Sequence, residues 1–73
     1  MKVTLVHLST MPGLNSRTGF CRRGARAFFA LHGLDWNAFR HDGIEAEHLL
    51  ATGDALAAAL VKHAQAWEAA HGR

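Results

Sequence analysis

The opening residues carry apolar side chains at a period of two, which is the spacing of a β-strand. In residues 2 to 8, KVTLVHL, this period places Val3, Leu5 and His7 on one face of an extended chain. The other face is also partly apolar, and no second strand-like stretch follows in the sequence. We therefore expect an extended N-terminal arm or strand whose backbone either pairs with a neighbouring molecule or lies along helices of its own chain.

Turn-forming residues dominate residues 9 to 20, STMPGLNSRTGF, which indicates a loop or linker. Pro12 followed by Gly13 is typical of a tight turn. From residue 21 onward the apolar spacing becomes three and four residues, which is the period of a helix. The sequence thus predicts an extended arm and loop over residues 1–20, followed by a small helical bundle over residues 21–71.

Residues 21–32 form the first predicted helix, and Gly33 supplies the left-handed residue that ends it. Gly24 disfavours a helix, so the first turn begins either at Cys21 or at Ala25. Side chains three or four positions apart define the face that we expect to be buried. This face consists of Ala25, Phe28, Phe29 and His32.

Two short helices follow, and a glycine ends each of them. Asp35 is placed to cap a helix over residues 36–42, which stops at Gly43. Another helix is predicted over residues 45–51, where two early glutamates suit the positive end of the helix dipole, and it stops at Gly53. Short helices with sharp glycine turns indicate a compact arrangement around a longer element.

That longer element is the last helix, residues 55–70, which is rich in alanine and is capped by Asp54. Its predicted buried stripe consists of Leu56, Leu60, His63 and Trp67, flanked by Ala57, Val61 and Ala64. We predict an all-α fold with three or four short-to-medium helices around this long C-terminal helix, preceded by the extended N-terminal arm or strand.

Length and composition limit how such a fold is stabilised. The chain has 73 residues, which is one small domain, and its single cysteine, Cys21, excludes an internal disulfide. Hydrophobic residues make up 49% of the sequence, but many of them are alanines, which bury little area each. The expected source of stability is therefore either a small helical core or a partner subunit. No apolar run approaches the roughly 18 residues of a membrane span, so we expect no membrane association.

The net charge of +2 hides an asymmetry between the two halves of the chain. Residues 1–40 carry six basic residues against one acid, a net charge of +5, whereas residues 41–73 carry two basic residues against five acids, a net charge of −3. The basic half could bind phosphate groups. Alternatively, the basic half of one subunit could contact the acidic half of the next, head to tail. A third alternative is that both halves present ordinary solvated faces. The basic cluster consists of Arg17, Arg22, Arg23 and Arg26.

The residues that could carry chemistry do not form a catalytic or metal-binding pattern. No two of the six histidines have the four-residue spacing of a helical zinc motif. Cys21 is interpreted as a small buried residue, because no histidine base can be placed beside it. Residues 25–42 are similar to a helix-turn-helix, but only Asn37 at the start of the second helix suits a base edge. We expect no enzyme activity, no metal and no cofactor.

The run FCRRGARAFFALHGLDWNAF, continuing into DGIEAEHLLATGDALA, resembles a group of small, mostly uncharacterised proteins of tailed bacteriophages and prophages. The resemblance covers about two-thirds of the chain. It implies a phage setting, among virion structural or assembly proteins, in the virion or the host cytoplasm. It carries over no functional residues. The pattern consists of Cys21, Gly24, Arg26, Phe29, His32, Gly33, Leu34, Asp35, Trp36, Phe39, Gly43, Ile44 and residues 49–55.

Two functional hypotheses follow from these observations. The first is a non-enzymatic phage structural or assembly accessory that contacts other phage structural proteins or a second copy of itself, with the N-terminal arm ordered by a neighbouring subunit. The alternative is a small regulator or host-takeover factor that binds nucleic acid or a host protein through the basic cluster. The candidate interaction surface consists of Val3, Leu5, His7, Arg17, Arg22, Arg23 and Arg26.

Overall fold

A computed structural model describes residues 1–11 and 22–71 of the chain. The described residues form five helices and one two-stranded antiparallel sheet. A mainly helical fold with a long C-terminal helix was predicted, and the structure confirms it at that level. In chain order the elements are β1 (Lys2–Val3), α1 (Leu5–Thr10), α2 (Arg22–Leu31), α3 (Trp36–Asp42), β2 (Ile44–Glu45), α4 (Ala46–Leu50) and α5 (Ala55–His71).

The prediction of an extended arm is wrong for most of its length. Only Lys2–Val3 is a strand, and Leu5–Thr10 is a helix. Thr4 keeps an extended backbone at the N-cap of α1, and its N–H donates to His7 Nδ1 at 2.9 Å. Because this bond satisfies a backbone donor that the helix itself leaves free, the chain can turn from strand to helix at this point.

The strand β1 pairs within its own molecule, which corrects the expectation that no second strand exists. Lys2 lies opposite Glu45 and Val3 lies opposite Ile44 in an antiparallel register. Beyond the pair, the Ala46 N–H donates to the Met1 carbonyl at 2.9 Å. A strand of two residues is too short to show the two-residue hydrophobic period of a β-strand, so β2 could not be recognised from hydrophobic spacing. The sequence analysis placed Glu45 in a helix instead.

Gly43 makes the contact between β1 and β2 sterically possible. Its φ is +85° and its ψ is 178°, a combination that essentially only glycine adopts. A Cβ at this position would lie 2.9 Å from the Val3 carbonyl oxygen and 3.2 Å from Thr4 Cγ2. The backbone of residues 3 and 4 therefore passes directly over Gly43, and a glycine predicted only as a helix end also receives the N-terminal segment.

The helix boundaries predicted from caps and glycines are largely confirmed. Helix α2 begins at Arg22 rather than at Ala25, and Gly33 ends it with φ +68°. Helix α3 covers the predicted residues 36–42, and Asp35 Oδ1 accepts the Ala38 N–H at 3.0 Å. Helix α4 is one residue shorter than predicted at each end, because Glu45 belongs to β2 and Ala51 is the C-cap. Helix α5 extends one residue beyond its predicted end.

An aromatic group joins α2 to α3. The ring centroids of Phe29 and Phe39 are 4.9 Å apart, and those of Phe29 and Trp36 are 5.3 Å apart in an edge-to-face arrangement. These geometries are typical of favourable aromatic pairs. Phe29 and Phe39 belong to the buried cluster, and the partly buried Trp36 packs against it. The cluster consists of Val3, Leu8, Met11, Ala25, Phe29, Phe39, Ala46, Leu49, Ala57, Leu60, Val61 and Ala64.

The buried face of α5 is rotated relative to the predicted stripe. Leu56, predicted to be buried, is 43% exposed, whereas the flanking Ala57, Val61 and Ala64 are at most 3% exposed. Small side chains allow neighbouring backbones to approach closely, and α1 and α4 both pack against α5. The helix therefore turns the face with Ala57, Leu60, Val61 and Ala64 inward and leaves His63 and Trp67 half-buried.

Candidate interaction site

The N-terminal part of the predicted interaction surface is buried in the fold. Val3 is fully buried, His7 is 2% exposed and Leu5 is partly buried against the core, so these side chains stabilise the fold. The prediction failed because α1 is a helix that lies on α5, whereas a strand would have left one of its faces free. Of the predicted surface, only the arginines remain candidates for an external contact.

Three of the four arginines of the basic cluster lie on α2. Arg26 is exposed on α2, and Arg22 and Arg23 occupy the first two positions of the same helix. Arg17 lies outside the described residues. The first turn of α2 contains no acidic residue, and neither ion pair of the described chain involves an arginine. Arg26 is therefore available to an acidic or phosphate-bearing partner.

A polar contact missed by the sequence analysis joins α1 to α5. His7 Nε2 lies 2.8 Å from Glu68 Oε2, although the two residues are 61 positions apart in the chain. Since His7 Nδ1 accepts the Thr4 N–H, a neutral His7 carries its proton on Nε2 and donates it to Glu68. His7 is buried while the Glu68 side chain is 55% exposed, so the carboxylate keeps contact with water as it accepts this bond.

A second hydrogen bond joins the same two helices. Thr10 Oγ1 lies 3.0 Å from His63 Nε2 and 2.8 Å from the Val6 carbonyl oxygen. The hydroxyl has one proton, which it donates to the carbonyl, so its oxygen accepts a hydrogen bond from His63 Nε2. Together with His7 and Glu68, this pair fixes the position of α1 along α5. No residue spacing in the sequence could have indicated either contact.

Thr4, His7 and Glu68 contain the groups of a hydroxyl–imidazole–carboxylate triad, but their arrangement does not suit catalysis. Thr4 Oγ1 is 3.3 Å from His7 Nδ1. The lone pair of that nitrogen already accepts the Thr4 backbone N–H at the shorter distance of 2.9 Å, so it cannot serve as a base for the hydroxyl. The arrangement caps α1 and attaches it to α5.

Two further histidines, His32 and His71, lie beside aromatic rings. His32 Nε2 is buried without a hydrogen-bond partner among residues 1–11 and 22–71, and the His32 ring lies 4.6 Å from the Phe28 ring. His71 stacks on Trp67 with centroids 3.8 Å apart near the end of α5. In the same described residues, no three histidine, cysteine, aspartate or glutamate side chains are placed to hold a metal ion together.

Several large apolar side chains lie on the outside of the bundle. Leu31, the last residue of α2, is 78% exposed, which is the largest value among the large apolar residues that the structure describes. Leu50 and Leu56 are 50% and 43% exposed and flank the turn between α4 and α5. Leu31 lies away from the inward stripe of α2, so the helical period alone would have indicated its exposure.

Comparison of the chain with known protein families, with curated proteins and with solved structures returned no match. No helix of the described residues has the length and apolar composition needed to cross a lipid bilayer.

Proposed function

We propose that this chain is a non-enzymatic phage structural or assembly accessory that acts through contacts with other proteins. The observation that carries the proposal is the exposure of Leu31, Leu50 and Leu56 on three different helices. Complete burial of a fully exposed leucine is worth roughly 1.5 to 3 kcal/mol, and each of these side chains can contribute in proportion to the part of it that is still exposed. The phage setting is supported by the sequence pattern described above. The contact surface no longer depends on a free N-terminal arm.

An interface of ordinary area would cover a substantial fraction of the surface of this small protein. A standard interface buries about 800 Å² on each partner. The accessible surface of this chain is 4852 Å², so such an interface would cover about a sixth of it. A contact of that extent takes side chains from more than one helix. Leu31, Leu50 and Leu56 supply apolar anchors on α2, α4 and α5.

Self-association is the form of this proposal that purified protein can test. Light scattering after size-exclusion chromatography should show a concentration-dependent dimer for the wild-type chain. Replacement of Leu31, Leu50 and Leu56 by glutamine should abolish it without changing the helical circular dichroism. Ala66→Gln, at an exposed position of α5, is the matched control and should leave the dimer intact. A wild-type monomer up to about 1 mM, where a contact of roughly 4 kcal/mol would be visible, would overturn this form of the proposal.

A second candidate function is a regulator or host-takeover factor that binds nucleic acid or a host protein through the basic cluster. The exposure of Arg26, on a helix without acids in its first turn, favours it. The second helix of the α2–α3 pair offers little base recognition, because Trp36 packs against the core and only Asn37 is an exposed amide there. Any binding would therefore be directed at the phosphate backbone.

Duplex DNA of random sequence tests this alternative directly. The triple variant Arg22→Ala, Arg23→Ala and Arg26→Ala should bind more weakly and with a smaller dependence on salt, by about one unit of slope for each phosphate that the variant no longer binds. Arg40→Ala, at an exposed position of α3, removes one charge outside the basic cluster and is the control for the single variant Arg26→Ala. The absence of measurable binding by the wild-type chain in low salt would exclude the nucleic-acid version.

A further inference from the structure

The outer side of helix α2 combines a positive charge with apolar side chains. Four exposed residues form this surface, the α2 face, which consists of Arg26, Ala27, Ala30 and Leu31. Arg26 and Ala30 are four positions apart, as are Ala27 and Leu31, so the members of each pair are neighbours on the helix surface. Neither ion pair of the described residues includes Arg26. The α2 face is therefore an exposed surface with a leucine and an arginine whose charge is not neutralised within the described chain.

The outer side of helix α4 has the same kind of surface with the opposite charge. This surface, the α4 face, consists of the exposed residues Glu47, Leu50 and Ala51. Leu50 and Ala51 follow Glu47 by three and four positions, so all three lie together, while the buried Leu49 points to the core. Neither ion pair of the described residues includes Glu47. The α4 face therefore presents a leucine beside an acid.

The two faces are complementary in charge and similar in apolar content. Helix α2 belongs to the half of the chain with a net charge of +5, and α4 belongs to the half with a net charge of −3. Two α2 faces would bring Arg26 against its own copy, and two α4 faces would do the same with Glu47, and like charges in a contact are unfavourable. Every copy of the chain thus carries both a face and the complement of that face, which makes a second copy the partner that fits.

The spacing of charge and leucine is also compatible between the two faces. At 1.5 Å per residue, Arg26 and Leu31 are separated by about 7.5 Å along the axis of α2, and Glu47 and Leu50 by about 4.5 Å along the axis of α4. The difference of about 3 Å lies within the reach of the long, flexible arginine side chain. One leucine pair and one ion pair can therefore form in the same contact.

We infer that copies of this chain associate by placing the α2 face of one on the α4 face of another. Leu31 packs against Leu50 in this contact, and Arg26 faces Glu47. Burial of the leucines supplies affinity, whereas the ion pair at the rim selects which faces meet. The contact closes into a dimer where two copies use both faces reciprocally, and otherwise continues as a ring or chain. This inference rests on the self-association form of the proposed function and names its partner and surface.

Reversal of the two charges on separate chains tests the contact. Arg26→Glu places an acid opposite Glu47, and Glu47→Arg places a base opposite Arg26. Each variant alone should raise the dissociation constant for self-association by about tenfold, because a rim ion pair is replaced by like charges. An equimolar mixture should recover association close to that of the wild-type chain, since both contacts between unlike variants pair an acid with a base. Sedimentation equilibrium at low salt measures all of these constants.

The matched controls carry the same charge changes outside the two faces. Arg40→Glu and Asp42→Arg are at exposed positions of α3. Each should leave the dissociation constant within about twofold of the wild-type value, and their mixture should show no recovery. Helical circular dichroism should be unchanged in all four variants. Recovery in the mixture of Arg26→Glu with Glu47→Arg would also show that both of those variants are folded.

The same measurements separate failure of this contact from failure of the proposed function. A wild-type chain that associates, with face variants that behave like the controls, would overturn the contact and leave self-association through another surface, such as that around Leu56. Stronger association of Arg26→Glu would also overturn it, because it would show that α2 faces meet each other. Weakening in each variant without recovery in the mixture would overturn the pairing of Arg26 with Glu47. A wild-type monomer up to about 1 mM would overturn both the contact and the self-association that it rests on.

Discussion

Replacement of Gly43 by alanine should be the most damaging of the three glycine-to-alanine substitutions at the helix ends. Gly43, Gly33 and Gly53 all have positive φ, at +85°, +68° and +73°. An added Cβ at Gly43 would meet the Val3 carbonyl oxygen at 2.9 Å, whereas nothing lies within 4 Å of a Cβ at Gly33 or Gly53. The latter two substitutions therefore carry the backbone strain without the collision.

The size of the difference can be worked from these two terms. A left-handed backbone costs a residue with a Cβ roughly 1 to 2 kcal/mol. The ψ of 178° places Gly43 in a region that is nearly restricted to glycine, where strain is about 1 to 3 kcal/mol. The collision adds about 1 to 3 kcal/mol, because the obstructing atom belongs to the backbone and cannot rotate away. We expect a loss of about 2 to 6 kcal/mol for Gly43→Ala and about 1 to 2 kcal/mol for each control.

Urea unfolding followed by circular dichroism measures all three variants on one scale. For a chain of this length, the total free energy of unfolding is on the order of 4 to 11 kcal/mol. Gly43→Ala could therefore be largely unfolded under conditions where Gly33→Ala and Gly53→Ala remain folded, and that outcome also agrees with the expectation. Equal losses in all three variants would refute the reasoning, because they would show that the backbone of residues 3 and 4 does not lie over Gly43.

Three further substitutions test separate parts of the fold by the same assay. Asp35→Ala should cost about 1 kcal/mol by removing the cap of α3, whereas Asp42→Ala, at the other end of the same helix, should cost nothing; equal losses would contradict the capping role. Phe39→Ala should cost about 3 to 5 kcal/mol, because the side chain is 1% exposed and its removal leaves a cavity; a loss below 1 kcal/mol would place Phe39 outside the core. Glu68→Ala should cost about 1 to 3 kcal/mol by leaving His7 Nε2 without its acceptor, and Glu68→Gln, which keeps an acceptor oxygen, should cost less than half as much; identical losses would argue against the hydrogen bond.

The helical part of the fold was predictable because its signals are local. Asp35 and Asp54 accept backbone N–H groups at helix starts, as their sequence positions indicated. Gly33 closes α2, and the Leu34 N–H donates to the Phe29 carbonyl at 2.7 Å, which is the bonding expected where a left-handed residue ends a helix. Such features depend on residues within one turn of each other, so a single sequence is enough to recognise them.

The N-terminal segment was not predictable because its conformation is decided by distant residues. The apolar spacing of residues 2–8 suits a strand, yet Leu5–Thr10 is helical. In the helical form Leu8 reaches the core and His7 reaches Glu68, and neither contact has a signal in the local sequence. Tertiary packing outweighs the small intrinsic preference for extended structure in so short a stretch.

The candidate interaction site was predictable only in part, for the same reason. The basic cluster could be recognised from composition, and Arg26 is exposed as that interpretation requires. Val3 and His7 were assigned to the surface because the strand prediction left one face free, and both are buried. Leu56 was assigned to the core because its spacing matches the stripe of Leu60, but the buried face of α5 is centred on Ala57, Leu60, Val61 and Ala64 and leaves Leu56 43% exposed.

The central claim is that residues 1–11 are an integral part of the folded core of their own chain. Nuclear Overhauser effects between backbone protons of Lys2–Val3 and those of Ile44–Glu45 test it most directly. The account predicts clear cross-strand effects between these residues, together with helical chemical shifts for Leu5–Thr10. Random-coil shifts for residues 2–10, with no effect linking them to Ile44–Glu45, would contradict it.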